Sequence, residues 1–183
     1  MIGDINRATD ILQAGGIICH PTETVYGLGC LPDNTAALEK LIALKQRAVG
    51  KGFILLAASA DQLKPFTGRL SASDWLRIAT PRDRATTWTV PAAKEISPLL
   101  IGDHEQIAIR IAQHELVRQL CKQCNSALVS TSANISGEPP ARQAADLPSA
   151  LLQQIDLLVD APCGDDPKPS RIIDLKTGKI LRD

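Results

Sequence analysis

Apolar positions recur at helical spacing over residues 4–14, where Ile5, Ala8, Ile11 and Leu12 share one face, Asp4 stands as N-cap and Gly15-Gly16 stops the run. The same spacing returns over 34–45 through Leu38, Leu41, Ile42 and Leu44, and it predicts another helix over 114–123. Between these lie short unbroken apolar stretches that read as buried strands. They are 17–20 (IICH, broken by Pro21), 53–58 (FILLAA), 86–90, 106–111, 127–130 and 155–159. Residues 59–62 (SADQ) have the capping-box pattern of a new helix. The terminal RIIDLKTGKILR predicts a hairpin turning at Thr177-Gly178. Strands and helices alternate for most of the length, which predicts an α/β sheet with some antiparallel pairing. With no repeat, low-complexity segment or linker, residues 1–183 read as one domain.

Charge and composition narrow the function classes. Twenty basic residues balance twenty acidic ones, which argues against a general polyanion binder. Only Tyr26, Phe53, Phe66, Trp75 and Trp88 are aromatic, too scattered for a base-stacking platform. The amphipathic start carries Asp4, Arg7 and Asp10, unlike a signal peptide. No apolar run approaches the ~18 residues of a membrane span. Five cysteines without a disulfide spacing point to a cytoplasmic address.

Three segments are candidates for chemistry. HPTETVYGLGC (20–30) is a polar, glycine-punctuated loop directly after a strand, and open α/β sheets gather ligands at strand C-termini. Alternatively it is an ordinary turn, since Gly27-x-Gly29 lacks the third glycine of a dinucleotide fingerprint. Lys40, Lys45, Arg47 and Lys51 form a basic run without an acidic residue. In a continuous helix Lys45 and Arg47 would point roughly 200° apart. For both to hold one ligand the helix must end near Lys45 and the chain run extended, an ending that Gly50 and Gly52 suit. Such a cluster is either a phosphate clamp or a solvated helix end favoured by the dipole. In LVSTSANISGEPPAR (128–142), Ser132 and Asn134 stand at i, i+2 and put a hydroxyl and an amide on one side of an extended chain. That suits a substrate or ribose, against a turn of local side-chain to backbone bonds.

Other signals fail. Cys121-x-x-Cys124 lies near a helix C-terminus, where redox pairs do not sit, and one such pair makes no zinc site. No metal site is read from the sequence: His20, His104 and His114 lack HExxH spacing, and neither GxSxG nor GxxxxGK[ST] occurs. Arg110 alternates with Ile109 and Ile111, so it faces either solvent or a cleft.

Taken together HPTETVYGLGC, LKQRAVGKGFILLAAS, IAIRI, STSANISGEPPAR and PSRIIDLKTGKILR resemble the YrdC-like threonylcarbamoyl-AMP synthase family, short bacterial type. K-x-R and S-x-N in this order are more specific than either alone. The resemblance implies a single-domain twisted open α/β sheet of mixed parallel and antiparallel strands, with flanking helices and a concave basic cavity. It implies a nucleotidyltransferase that makes threonylcarbamoyl-AMP and pyrophosphate from L-threonine, bicarbonate or CO2, and ATP with Mg2+. The product would serve threonylcarbamoyladenosine modification of tRNA through downstream tRNA-modifying proteins. By position, Lys45, Arg47, Lys51, Asn134 and Arg142 would bind ATP, with Lys45 and Arg47 stabilising the phosphates. Thr24, Arg110 and Ser132 would bind threonine, and no residue is singled out as catalytic base.

Departures from the family pattern are local. His20 replaces the usual Tyr or Phe before Pro-Thr-Glu, and PRDRATTW (81–88) replaces a Trp-Pro-Gly-Pro loop. Arg171 stands where many members have Thr, Asp165-Asp166 where many have Gly-Arg, and Leu56 where longer two-domain relatives have a His. Two rival functions use the same scaffold: a double-stranded RNA-binding module for ribosome maturation, with weak tRNA binding as a lesser form, and carbamoyl transfer to another acceptor. The neutral total and scarce aromatics weigh against the first.

Overall fold

The Asp4 carboxylate accepts from the Arg7 amide at 3.0 Å and caps α1 (Ile5–Gln13), which buries Ala8 and Leu12. In this computed structural model, residues 4–46, 49–135, 137–166 and 168–183 are described. After α1 the chain runs β1 (Ile18–Pro21), β2 (Tyr26–Cys30), α2 (Thr35–Leu44), β3 (Ile54–Ala57), α3 (Ala72–Ala79) and β4 (Thr86–Pro91). It continues with α4 (Pro98–Ile101), β5 (Gln106–Ile111), α5 (Glu115–Gln123), β6 (Leu128–Ser132) and α6 (Ser149–Leu152). The last elements are β7 (Leu157–Leu158), β8 (Arg171–Asp174) and β9 (Ile180–Arg182). Its strands form one mixed sheet in the order β7-β1-β2-β6-β3-β5-β4-β8-β9. The β1–β7, β3–β5 and β4–β8 pairs are parallel and the rest antiparallel.

Several sequence expectations need correction. Residues 26–30 are not loop but β2, which returns antiparallel to β1 through a turn closed by Thr22 and Val25. The polar character of 20–30 had hidden a strand whose small glycines pack closely. Pro21 does not break β1; it is the last paired residue, opposite Tyr26. Ser59 makes no capping bond, and 60–62 form only a 3-10 turn. Gln62 instead accepts from the Ala58 amide at 2.8 Å and donates to the Cys121 carbonyl at 2.6 Å, which ties the turn to α5. The working capping box is Ser71 with Asp74 at the start of α3, a helix the periodicity did not reveal. Of 155–159 only Leu157–Leu158 pair. The terminal hairpin turns where expected, with Gly178 in the left-handed region at φ 73°.

Alternate strand residues feed two cores. Cys19, Leu28, Leu55, Ile109 and Val129 join Leu38 and Leu41 of α2 on one face. Ile18, Leu56 and Leu128 join Ala8 and Leu12 of α1 and Val117 and Leu120 of α5 on the other. Each such fully buried aliphatic side chain contributes roughly 1.5–3 kcal/mol. Helices α1 and α5 cover only part of that second face. Its remainder floors a cleft.

Candidate active site

Strand register sets the cleft floor. Ser130 lies opposite Ile54, Ile54 opposite Ala108 and Ala108 opposite Thr89, so these four side chains form one row across β6, β3, β5 and β4. In adjacent rows Gly27 faces Ser132, and Leu56 faces Arg110. All eight residues line a single cleft of about 580 Å³. Its described lining carries Lys45, Lys51, Arg110 and Arg182 and no Asp or Glu. A chain of zero net charge therefore presents one cationic concavity.

Helix α2 delivers Lys45. The helix ends there because Gln46 takes the left-handed conformation, with φ 46°. The helix thus ends near Lys45 as expected, but 49–51 form a 3-10 turn rather than an extended chain. Lys45 is only 4% exposed. Its Nζ donates to the Ser132 carbonyl at 2.6 Å, the Asn134 carbonyl at 2.5 Å and Asn134 Oδ1 at 2.8 Å. Ser132 Oγ donates to the same Oδ1 at 2.6 Å. Asn134 Nδ2 donates to the carbonyls of Ile135 at 3.0 Å and Glu138 at 2.5 Å. The two signatures are thus one hydrogen-bonded unit, with the ammonium beneath the S-x-N turn. Arg47 lies outside the described residues. Lys51 reaches the cleft from an exposed position, whereas Arg142 is exposed and lies off the described lining.

The threonine-side candidates gather along the same cleft. Thr24 is buried, and its hydroxyl donates to the Lys168 carbonyl at 3.1 Å. Arg110 is 8% exposed, so its alternation with isoleucines points into the cleft and not to solvent. Its Nη2 lies 2.8 Å from Glu23 Oε2, while Arg110 Nε has no hydrogen-bond partner. Glu23 Oε1 accepts from the amides of Gln113 at 2.8 Å and His114 at 3.3 Å. Burial pushes the Glu23 carboxyl up, but Arg110 and these amides together hold it below its ordinary value.

His20 is fully buried behind Gly27 and Gly29 of β2. A Cβ at Gly29 would meet His20 Nε2 at 3.0 Å and the Val129 carbonyl at 3.0 Å. Burial above all lowers its imidazole to about 4. It packs against the two glycines of β2 and makes no part of the described cleft wall. Arg182, Ser170 and Glu23 escaped sequence reasoning. All three stand in quoted segments, Glu23 in HPTETVYGLGC and Ser170 and Arg182 in PSRIIDLKTGKILR, but none was assigned a role there.

Helices on both faces of a mixed sheet, with a cationic cleft on the uncovered part of one face, define an α/β domain with an open cleft. The Sua5/YciO/YrdC family model, described as telomere recombination, matches residues 10–183, and the chain belongs to that family. Threonylcarbamoyl-AMP synthase of Chromohalobacter salexigens is 46% identical over 178 residues, 97% of this chain and 96% of its own. The enzyme of that name from Photobacterium profundum is 38% identical over 181 residues, 98% of each. Among solved structures, E. coli YciO superposes with a TM-score of 0.83 at 24% identity, covering 98% of this chain and 88% of its own. P. abyssi Sua5 complexed with L-threonine superposes at 0.86 and 24% identity, covering 97% of this chain. The chain spans about half of that protein, 53%. These likenesses show the fold, including the mixed sheet within one domain.

Proposed function

We propose that this chain is a threonylcarbamoyl-AMP synthase, a nucleotidyltransferase that joins L-threonine, bicarbonate and ATP. One observation carries the reading: Lys45, Ser132, Asn134 and Arg110 converge on one cleft whose described lining has no carboxylate. A volume of about 580 Å³ falls within the roughly 300–1,000 Å³ usual for small-molecule sites. The close relatives carry that name.

In this reading the amine of threonine combines with bicarbonate, losing water, to give a carbamate. A carbamate oxygen forms a bond to the α-phosphorus of ATP as the bond to the pyrophosphate oxygen breaks. The protein supplies position and charge. Lys51 and the ammonium of Lys45 offset phosphate charge, with Arg47 assigned beside them from its place in K-x-R. Asn134, held by Lys45, shapes the nucleotide end. Thr24, Arg110 and Ser132 mark the amino-acid end. Glu23 is engaged by Arg110 and two backbone amides, so it orients the guanidinium and is not a free base.

Mg2+ has no protein cage here: no cluster of three His, Cys, Asp or Glu suited to a metal occurs among the described residues. In this reading the ion arrives on the phosphates of ATP as part of the substrate. Downstream tRNA-modifying proteins would consume the mixed anhydride. No observation favours the RNA-binding alternative. No described helix is long and apolar enough to cross a membrane.

The decisive assay is pyrophosphate release from ATP with threonine and bicarbonate together and with each withheld. Release should require both, since the attacking oxygen belongs to the carbamate. Release at full rate without threonine overturns the reading.

A further inference from the structure

Two glycine turns meet at one end of the cleft, and they touch backbone to backbone. The 3-10 turn at 49–51 carries Lys51 to the cleft and leads into Gly52, whose φ is 57°. The loop after α4 turns at Gly102, with φ 62° and ψ -133°, a conformation suited to glycine. A Cβ at Gly52 would meet the Ile101 carbonyl oxygen at 2.7 Å and the Leu100 carbonyl oxygen at 2.9 Å. A Cβ at Gly102 would meet the Gly50 carbonyl group and, at 2.7 Å, the Gly52 nitrogen. None of these obstacles is a side chain that could swing away. Two hydrogen bonds close the contact: the Asp103 amide donates to the Gly50 carbonyl at 3.1 Å, and the Phe53 amide to the Leu100 carbonyl at 2.8 Å.

The sheet explains why the two turns lie together. Gly52 precedes β3 and Gly102 precedes β5, and these strands are parallel neighbours, so both turns stand at the N-terminal end of the pair. His104, leaving the second turn, lines the cleft with Lys51. Gly102 and Asp103 lie off the described lining. Lys51 is exposed and ends a turn of only three residues. The depth at which it enters the cleft is therefore set by what its turn packs on, and that is the Gly102 loop.

We infer that Gly102 is a positioning residue for the turn that carries Lys51, and that it governs ATP affinity without touching the nucleotide. Any side chain at this position would wedge the two backbones apart and withdraw the ammonium from the phosphates. The inference rests on the proposed function, which gives those phosphates to Lys51.

The test is isothermal titration of the full chain with ATP and Mg2+, which reads the affinity of the folded fraction. Gly102→Ala should weaken ATP at least about tenfold, the scale of one charge-assisted hydrogen bond. Lys51→Ala should do the same. Adding Gly102→Ala to Lys51→Ala should then cost less than about a further factor of two, because a residue that acts through Lys51 has nothing left to place. Gly178→Ala is the control: it strains a glycine at φ 73° with nothing within 4 Å of the added Cβ. It should lose stability and keep its ATP affinity. Unchanged affinity in Gly102→Ala, an equal loss in Gly178→Ala, or losses that multiply in the double variant overturn the inference alone. If Gly102→Ala does not fold, amide exchange in wild type decides. ATP should slow exchange of the Asp103 amide, which bonds Gly50 across the contact, and an unchanged rate overturns the inference. Wild type that binds no ATP overturns the proposed function with it.

Discussion

Lys45 Nζ donates to Asn134 Oδ1 at 2.8 Å and so joins the end of α2 to the turn after β6, across 89 residues of chain. The same ammonium holds two carbonyls of that turn. Its three N–H donors thus meet three protein oxygens. Lys45 stabilises the walls of the cleft as well as lending charge to it.

Replacing that lysine should therefore damage folding and catalysis together. Lys45→Met leaves buried acceptors unmatched, at a cost of about 1–3 kcal/mol. Chemical denaturation should show that loss, and pyrophosphate release should fall at least about tenfold. In a double-mutant cycle with Asn134→Ala the two losses should be less than additive by about 0.5–3 kcal/mol. Simple additivity would separate the two residues and remove the unit described above.

The buried pair of Glu23 and Arg110 offers a second test. Glu23→Ala leaves the guanidinium uncompensated in a site where both side chains are below 10% exposed, at 8% and 9%. Breaking such a pair costs about 3–5 kcal/mol. Glu23→Gln should cost less, since it can still accept from the Gln113 and His114 amides. Unfolding midpoints for the two variants that coincide with wild type would remove the ion pair from the account of this site.

At Gly29 space, not conformation, decides. Gly29→Ala would press a methyl group against the Val129 carbonyl and the His20 ring. Overpacking of that kind costs about 1–3 kcal/mol. Adding His20→Ala should recover only part of the loss, because the carbonyl stays in place. A thermal unfolding curve unchanged by Gly29→Ala would show that β2 can shift, against the tight β1–β2–β6 contact.

Acid should weaken this fold through His20 before it does so through its carboxylates. The imidazole falls from 6.5 in the unfolded chain to about 4 when buried. Between those values the unfolded chain binds more protons, so stability is full above about pH 6.5 and declines as pH falls towards 4. The complete effect is about 3 kcal/mol. Glu23, held below its ordinary value of 4.5, adds its loss only at lower pH. Nearby His114 and Arg110 reinforce the depression of His20, while Glu23 opposes it. Urea midpoints at pH 7 and pH 4.5 should converge in His20→Phe relative to wild type. An equal pH dependence in both proteins would clear His20 of the effect.

Periodicity made most of the scaffold legible. The apolar face of α1, the end of α2 near Lys45, the 106–111 strand and the terminal hairpin all follow from local spacing and turn chemistry. Hydrophobic pattern failed at β2, where Gly27 and Gly29 weaken the apolar signal so that His20 and the neighbouring strand can pack closely. It failed again at Ser59, where Gln62 found a distant partner in Cys121 and removed the need for a capped helix.

The site divides along the same line. Local sequence determined which polar side chains stand at K-x-R and S-x-N, because those residue types and spacings belong to continuous segments. Only the tertiary structure decided that Lys45 would lie beneath Asn134, that Glu23 would neutralise Arg110, and that Arg182 would reach the cleft with no ion pair among the described residues. The first two relations join residues 89 and 87 apart in the chain, where strand order and register, not periodicity, bring charges together. A side chain's type is set by its own position. Its electrostatic partner is set by which strands the sheet makes neighbours.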